Sequence, residues 1–112
     1  LADINFSALE TSVDALQKAY PAVSVLPLEL NVRDRAAVKT SITQIVQRFG
    51  RIDVAVNNAG VGGSGKLTHE LEYDEIDHIL GVNLHGVYNC QKEELSVMVG
   101  QEYANKAPLD CL

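Results

Sequence analysis

At 112 residues and 46% hydrophobic content, the chain has material for one small domain with one core. Its net charge of −6, with no run of Lys and Arg, argues against a nucleic-acid or anionic-membrane surface, and no apolar stretch approaches the roughly 18 residues a membrane span needs. The 2 cysteines, Cys90 and Cys111, lack CxxC spacing and the 3 histidines, His69, His78 and His85, are scattered, which argues against a disulfide scaffold and a structural zinc site and leaves a cytoplasmic protein as the expectation.

The chain opens at Leu1, without an initiator Met, on a strand-like end with no preceding element, which suggests a piece of something longer. Phe6, Leu9, Val13, Leu16 and Tyr20 then recur at helical spacing; Ser7 with Glu10 reads as a capping box, so a helix is expected over about 7–19 before Pro21 stops it. Residues 23–30 read as a strand that Pro27 restricts to its ends or an edge. Asp34 is the expected N-cap of a second helix carrying the stripe Val38, Ile42, Ile45, Val46 and Phe49, closed by Gly50. Ile52 to Asn57 has the β-branched content of a strand covered on both faces, and a glycine-rich loop follows to about Thr68. From Tyr73 the positions Ile76, Ile79, Leu80, Leu84 and Val87 return to helical spacing, less cleanly through Leu95 and Met98, and Asn83 falls on that stripe. The stretch 105–112, with Pro108, reads as loop or frayed end.

Strand and helix alternating over such short connections imply an α/β fold with a parallel sheet, where ligands bind at the carboxyl ends of strands. The strand ends offered are Asp3, Asn31-Val32 and Asn57-Asn58-Ala59-Gly60, all polar or small. Two amides followed by Ala and Gly supply hydrogen bonds and close backbone approach to something flat, which suits a ligand better than a turn.

Asn57-Asn58-Ala59-Gly60 after Phe49-Gly50-Arg51-Ile52-Asp53, with Val82-Asn83-Leu84-His85-Gly86 on the next helix, resembles the short-chain dehydrogenase/reductase family in both order and spacing. The resemblance covers the chain from Leu1 to about Gln101. It implies an oxidoreductase moving a hydride between NAD(P) and a small-molecule alcohol or carbonyl, and a partial doubly wound, Rossmann-like sheet in a single incomplete domain over 1–112.

The resemblance assigns Asp3 to the adenosine ribose hydroxyls; a carboxylate there repels a 2′-phosphate and favours NAD over NADP. It sets Asn31 and Val32 beside the adenine, although the family usually has Asp at the first position, so the Asn31 amide oxygen would accept from the adenine amino group without a charge. Asn57, Asn58, Ala59 and Gly60 would steady the sheet centre and line the cofactor's ribose. Asn83 would be the catalytic-site Asn whose backbone, at a local helix break, helps hold a water in a proton relay. From its own pattern, Asn83 is a carboxamide on a buried face that must be bonded, either in a helix distortion or to an ordered water, or else as a core amide joining two helices.

Other matches read as ordinary structure. Gly60-Val61-Gly62-Gly63-Ser64-Gly65 fits GxGxxG, but Lys66 to Leu71 separates it from a helix and no strand with an acidic end follows about 20 residues on, so a loop beside the substrate space is expected. Tyr88 to Lys92 fits YxxxK, but the family places that pair on the next helix; an exposed Lys92 is expected instead. Glu70, Glu72, Asp74, Glu75 and Asp77 read as a solvated first turn rather than a metal site, and Cys90 as a small core residue.

Against the family pattern, the first strand with its phosphate-binding turn and the later segments bearing the catalytic Ser, Tyr and Lys have no counterpart in this sequence. In the strand order 3-2-1-4-5-6 the sheet would then have a hole at its centre, and the chain by itself is expected to be marginally stable and to show no turnover. The alternative is a non-catalytic nucleotide-binding or subunit-pairing module, compatible with a homo-oligomer.

Overall fold

The computed structural model describes residues 1–102. Strands β1 (Ala2–Asp3) and β2 (Leu28–Glu29) form a parallel pair with Ala2 opposite Leu28 and Asp3 opposite Glu29. Helix α1 (Phe6–Ala19) connects them, as a parallel pair requires. Asn5 caps α1 by accepting from Ala8 N at 3.1 Å, so the Ser7–Glu10 box is not the N-terminus used. Asn5 lies one residue before the first helical position, where its side chain reaches an N–H that has no partner inside the helix. Only Leu28 and Glu29 of the expected strand 23–30 are strand, directly after Pro27, which has no N–H to give a ladder.

Helix α2 (Arg35–Phe49) begins and ends where its sequence indicates. Asp34 Oδ1 accepts from Ala36 N at 2.9 Å and Ala37 N at 3.0 Å, and Gly50 closes the helix at φ 83°. Val38 is 0% exposed and sits at the centre of a core that includes Leu9, Val13, Leu28, Ile52 and Cys90.

The expected strand at Ile52 to Asn57 is extended but makes no ladder among the described residues. Ile52 is buried, whereas Val54 and Val56 are 80% and 81% exposed, so the segment is not covered on both faces. A strand's hydrogen bonds and cover both come from neighbours, and among the described residues no main chain pairs with this one. The chain is correspondingly open: its radius of gyration is 17.1 Å, against about 13 Å for a compact domain of this length.

A single 3₁₀ turn (Thr68–Glu70) precedes helix α3 (Tyr73–Leu80), a π-helical segment (Gly81–Gly86) and helix α4 (Val87–Met98), which run on without a break. Helix α2 packs against α4. No helix among the described residues is long and apolar enough to cross a membrane. Residues 105–112, expected to be loop, lie outside the described part.

Candidate functional site

The carboxyl ends of β1, β2 and the extended segment open onto one cleft of about 540 Å³. Its floor is apolar, built from Ala2, Leu28, Val38, Ile42, Val87 and Cys90, and its rim carries Asp3, Asn31, Val32, Asn57, Asn58, Ala59 and Gly60. Every cofactor-site residue expected from the sequence is thus on one cleft, although these residues are spread over more than fifty positions of the chain. The volume falls within the roughly 300–1,000 Å³ usual for ligand pockets.

Local hydrogen bonds shape the rim. Asp3 Oδ1 accepts from Asn5 N at 2.8 Å, which orients the carboxylate at the end of β1. Asn31 Oδ1 accepts from Arg33 N at 3.0 Å while Asn31 O accepts from Asp34 N at 2.9 Å, a tight turn that delivers the chain into α2. Asn57 Nδ2 donates to Glu94 Oε2 at 2.9 Å. Asn58, Ala59 and Gly60 are exposed on the rim.

Asn83 does not line this cleft. It lies in the π segment, where the helix widens to i→i+5 bonding, a distortion that recurs at functional sites. Its carboxamide pairs with the backbone of Val61 from both sides: Val61 N donates to Oδ1 at 2.8 Å, and Nδ2 donates to Val61 O at 2.9 Å. The expected helix distortion is present. The expected buried face is not, because Asn83 is exposed; its partner is a loop at the rim rather than a second helix. Gly60 sits next to this contact, and a Cβ there would lie 3.5 Å from Asn83 Oδ1.

A second carboxamide grips the other end of the extended segment. Gln101 accepts from Ile52 N and donates to Ile52 O, each at 2.7 Å. Gln101 just beyond α4, Glu94 on α4 and Asn83 in the π segment therefore hold Ile52, Asn57 and Val61 in reverse chain order. Two carboxamides and a carboxylate take the place of a strand neighbour among the described residues.

A family model described as short chain dehydrogenase matches residues 1–105. The chain belongs to the short-chain dehydrogenase family. It is 35% identical over 98 residues to levodione reductase of Leifsonia aquatica, covering 88% of this chain and 37% of that protein. A crystal structure of levodione reductase superimposes with a TM-score of 0.85 over 88% of this chain and 38% of the solved one, at 35% identity. A short-chain dehydrogenase/reductase from Burkholderia phymatum in complex with NAD gives 0.84 at 31% identity, over 90% of this chain and 35% of the other. An alcohol dehydrogenase from the archaeon Thermococcus sibiricus, complexed with 5-hydroxy-NADP, gives 0.79 at 31% identity, over 87% and 40%. The chain thus spans well under half the length of the short-chain dehydrogenases it matches, and its fold is a partial α/β Rossmann-like one.

Within the family frame, several residues that matter to the site carry no recognisable signal of their own. Asn89 is a buried carboxamide, 7% exposed, that donates to Val32 O at 3.0 Å; a buried amide left unpaired costs about 1–3 kcal/mol. Glu94 on α4 and Gln101 just beyond it carry no signal until the segment they hold is placed. Arg33 Nη1 lies 3.2 Å from His78 Nδ1, and a Cβ at Gly81 would come within 2.7 Å of Arg33 Nε. The signal available for this region was the glycine pair Gly81 and Gly86 bracketing Asn83 in an otherwise helical run.

Of the other motifs, Tyr88 and Lys92 are exposed on α4, and 62–65 is a loop. The acidic run is not merely solvated, because Glu75 Oε1 accepts from Ser64 N at 2.5 Å. Hydrogen bonds from Ser64, with help from Lys66, hold the Glu75 carboxyl below the usual glutamate value. Cys90 is a core residue; burial first, and the nearby Glu94 carboxylate second, push its thiol up and away from reactivity. Among the described residues no group of three or more His, Cys, Asp or Glu is placed to hold a metal.

Proposed function

We propose that this chain supplies the adenosine-side and central walls of a nicotinamide-dinucleotide site in an oxidoreductase acting on a small-molecule alcohol or carbonyl, with NAD preferred to NADP. The observation that carries this reading is the gathering of Asp3, Asn31, Val32 and Asn57 to Gly60 on one rim. When bound, the nicotinamide ring accepts or gives the hydride. The chain's own residues bind and orient the cofactor.

Asp3 keeps Oδ1 on its own turn, which leaves Oδ2 to accept from a ribose hydroxyl and sets a negative charge against a 2′-phosphate. Asn31 and Val32 border the base. The small residues Ala59 and Gly60 let the ligand approach the backbone, beside the Asn57–Glu94 bond that steadies the segment. Asn83 holds the loop at Val61, and the π distortion frees helix backbone groups near it to hold a water for proton transfer. A cytoplasmic setting, assembly with further copies, and partners that include neither nucleic acid nor membrane belong to the same reading, supported by the acidic charge and the family.

Calorimetric titration of the chain with NAD and NADP tests it. Wild type is expected to bind NAD the more tightly, and Asp3→Asn to lose about tenfold of that discrimination. Binding of neither nucleotide would overturn the site, and tighter binding of NADP would overturn the cofactor preference. The chain alone is expected to form no NADH with an alcohol panel, because it offers no Ser, Tyr and Lys in the family's catalytic arrangement.

A further inference from the structure

Asn89 is in the first turn of α4, and its side chain is directed into the protein rather than to water. It is the residue that reaches the turn after β2 from α4: Nδ2 donates to Val32 O at 3.0 Å. Three residues earlier, and so on the same helical face, Gly86 is buried, and a Cβ there would stand 2.5 Å from Val32 Cγ2 and 3.1 Å from Val32 Cβ. Val32 is therefore held twice by the same stretch of helix, through its carbonyl and through its side chain seated on a glycine. Among the described residues its neighbour Asn31 is held only within its own turn, by Arg33 N and Asp34 N.

We infer that Asn89 is a positioning residue that sets Val32 as the wall for the adenine base, and thereby makes this end of the cleft selective for adenine. The inference rests on the dinucleotide reading above. The chemistry is specific: the Asn89 amide acts through the Val32 carbonyl and does not touch the base. Removing the N–H donor frees the turn to move relative to α4, while Asp3 and the strand end at Asn57 to Gly60 keep their own bonds.

The test uses the full chain as wild type, Asn89→Leu and the near-isosteric Asn89→Asp, titrated with NAD, AMP and nicotinamide mononucleotide. Both variants are expected to weaken AMP and NAD by about tenfold and to change nicotinamide mononucleotide by less than about twofold. Equal losses for AMP and nicotinamide mononucleotide would mark a general structural role and overturn the inference, as would unchanged AMP binding. Amide exchange without ligand separates the two readings. Exchange at Arg33 and Asp34 is expected to quicken about tenfold in both variants while Val38 holds, and unchanged exchange at Arg33 and Asp34 overturns the latch itself. A wild type that binds none of the three nucleotides would sink the dinucleotide reading and the adenine role with it, while the exchange result would still judge the contact between Asn89 and Val32.

Discussion

Helix α2 and the segment after it both carry β-branched apolar residues, and they end in opposite environments. Helix α2 closes its hydrogen bonds within itself, takes its caps from Asp34 and Gly50, and needs only one face covered, at Val38. Residues 52–61 close none of theirs locally. They are satisfied at Ile52 by Gln101, braced through the Asn57 side chain by Glu94, and satisfied at Val61 by Asn83, and they leave Val54 and Val56 in water. A helix carries its partners in its own sequence neighbourhood, whereas a strand borrows them. An element of the first kind is the same in a partial sheet as in a complete one; an element of the second kind is not.

The largest effect expected from this contrast is at Val38. Val38→Asp would bury an unpaired carboxylate where α2 meets the core, at a cost of about 4 kcal/mol or more, and should abolish any cooperative urea transition followed by circular dichroism. A variant that unfolds like wild type would show that α2 is not the fixed part of the comparison.

Gln101→Leu should come next. It strips both bonds from Ile52 and leaves its N–H short of a partner, for about 1–3 kcal/mol. Exchange at the Ile52 amide should rise accordingly, and an unchanged rate would mean that the carboxamide is not what holds the segment. Smallest of all is the paired change Val54→Thr with Val56→Thr. In a strand covered on both faces each would cost more than 1 kcal/mol, but at these exposed positions the two together should shift stability by less than about 0.5 kcal/mol. A larger loss would place the valines under cover.

The same physical division explains what was legible beforehand. Asp34 and Gly50 announced α2 because capping and positive φ are properties of single residues. The candidate rim was legible too, since the residues at strand ends and the loop Asn57 to Gly60 carry a family pattern in sequence order. Ser7 was misread because both it and Asn5 are competent caps, and only the direction of the chain leaving β1 selects Asn5. The buried face expected for Asn83 failed for the reason the strand failed: burial is supplied by other parts of the sheet. Asn89, Glu94 and Gln101 were not legible at all, because a lone amide or carboxylate acquires meaning only from the group brought opposite it.

Sequence by itself therefore determined the family, the order of the helices and of the first two strands, the self-capped helix α2 and the residues that meet on the cleft rim. Each of these is written in local chemistry: periodicity, caps, and the residue types at strand ends. Tertiary structure alone decided that the segment after Arg51 makes no ladder, that carboxamides from the π segment and from just beyond α4 hold its two ends, and that Val32 is held from α4 by Asn89. Those outcomes depend on hydrogen bonds between residues 22 to 57 positions apart, and no local pattern encodes which donor a distant carbonyl will meet.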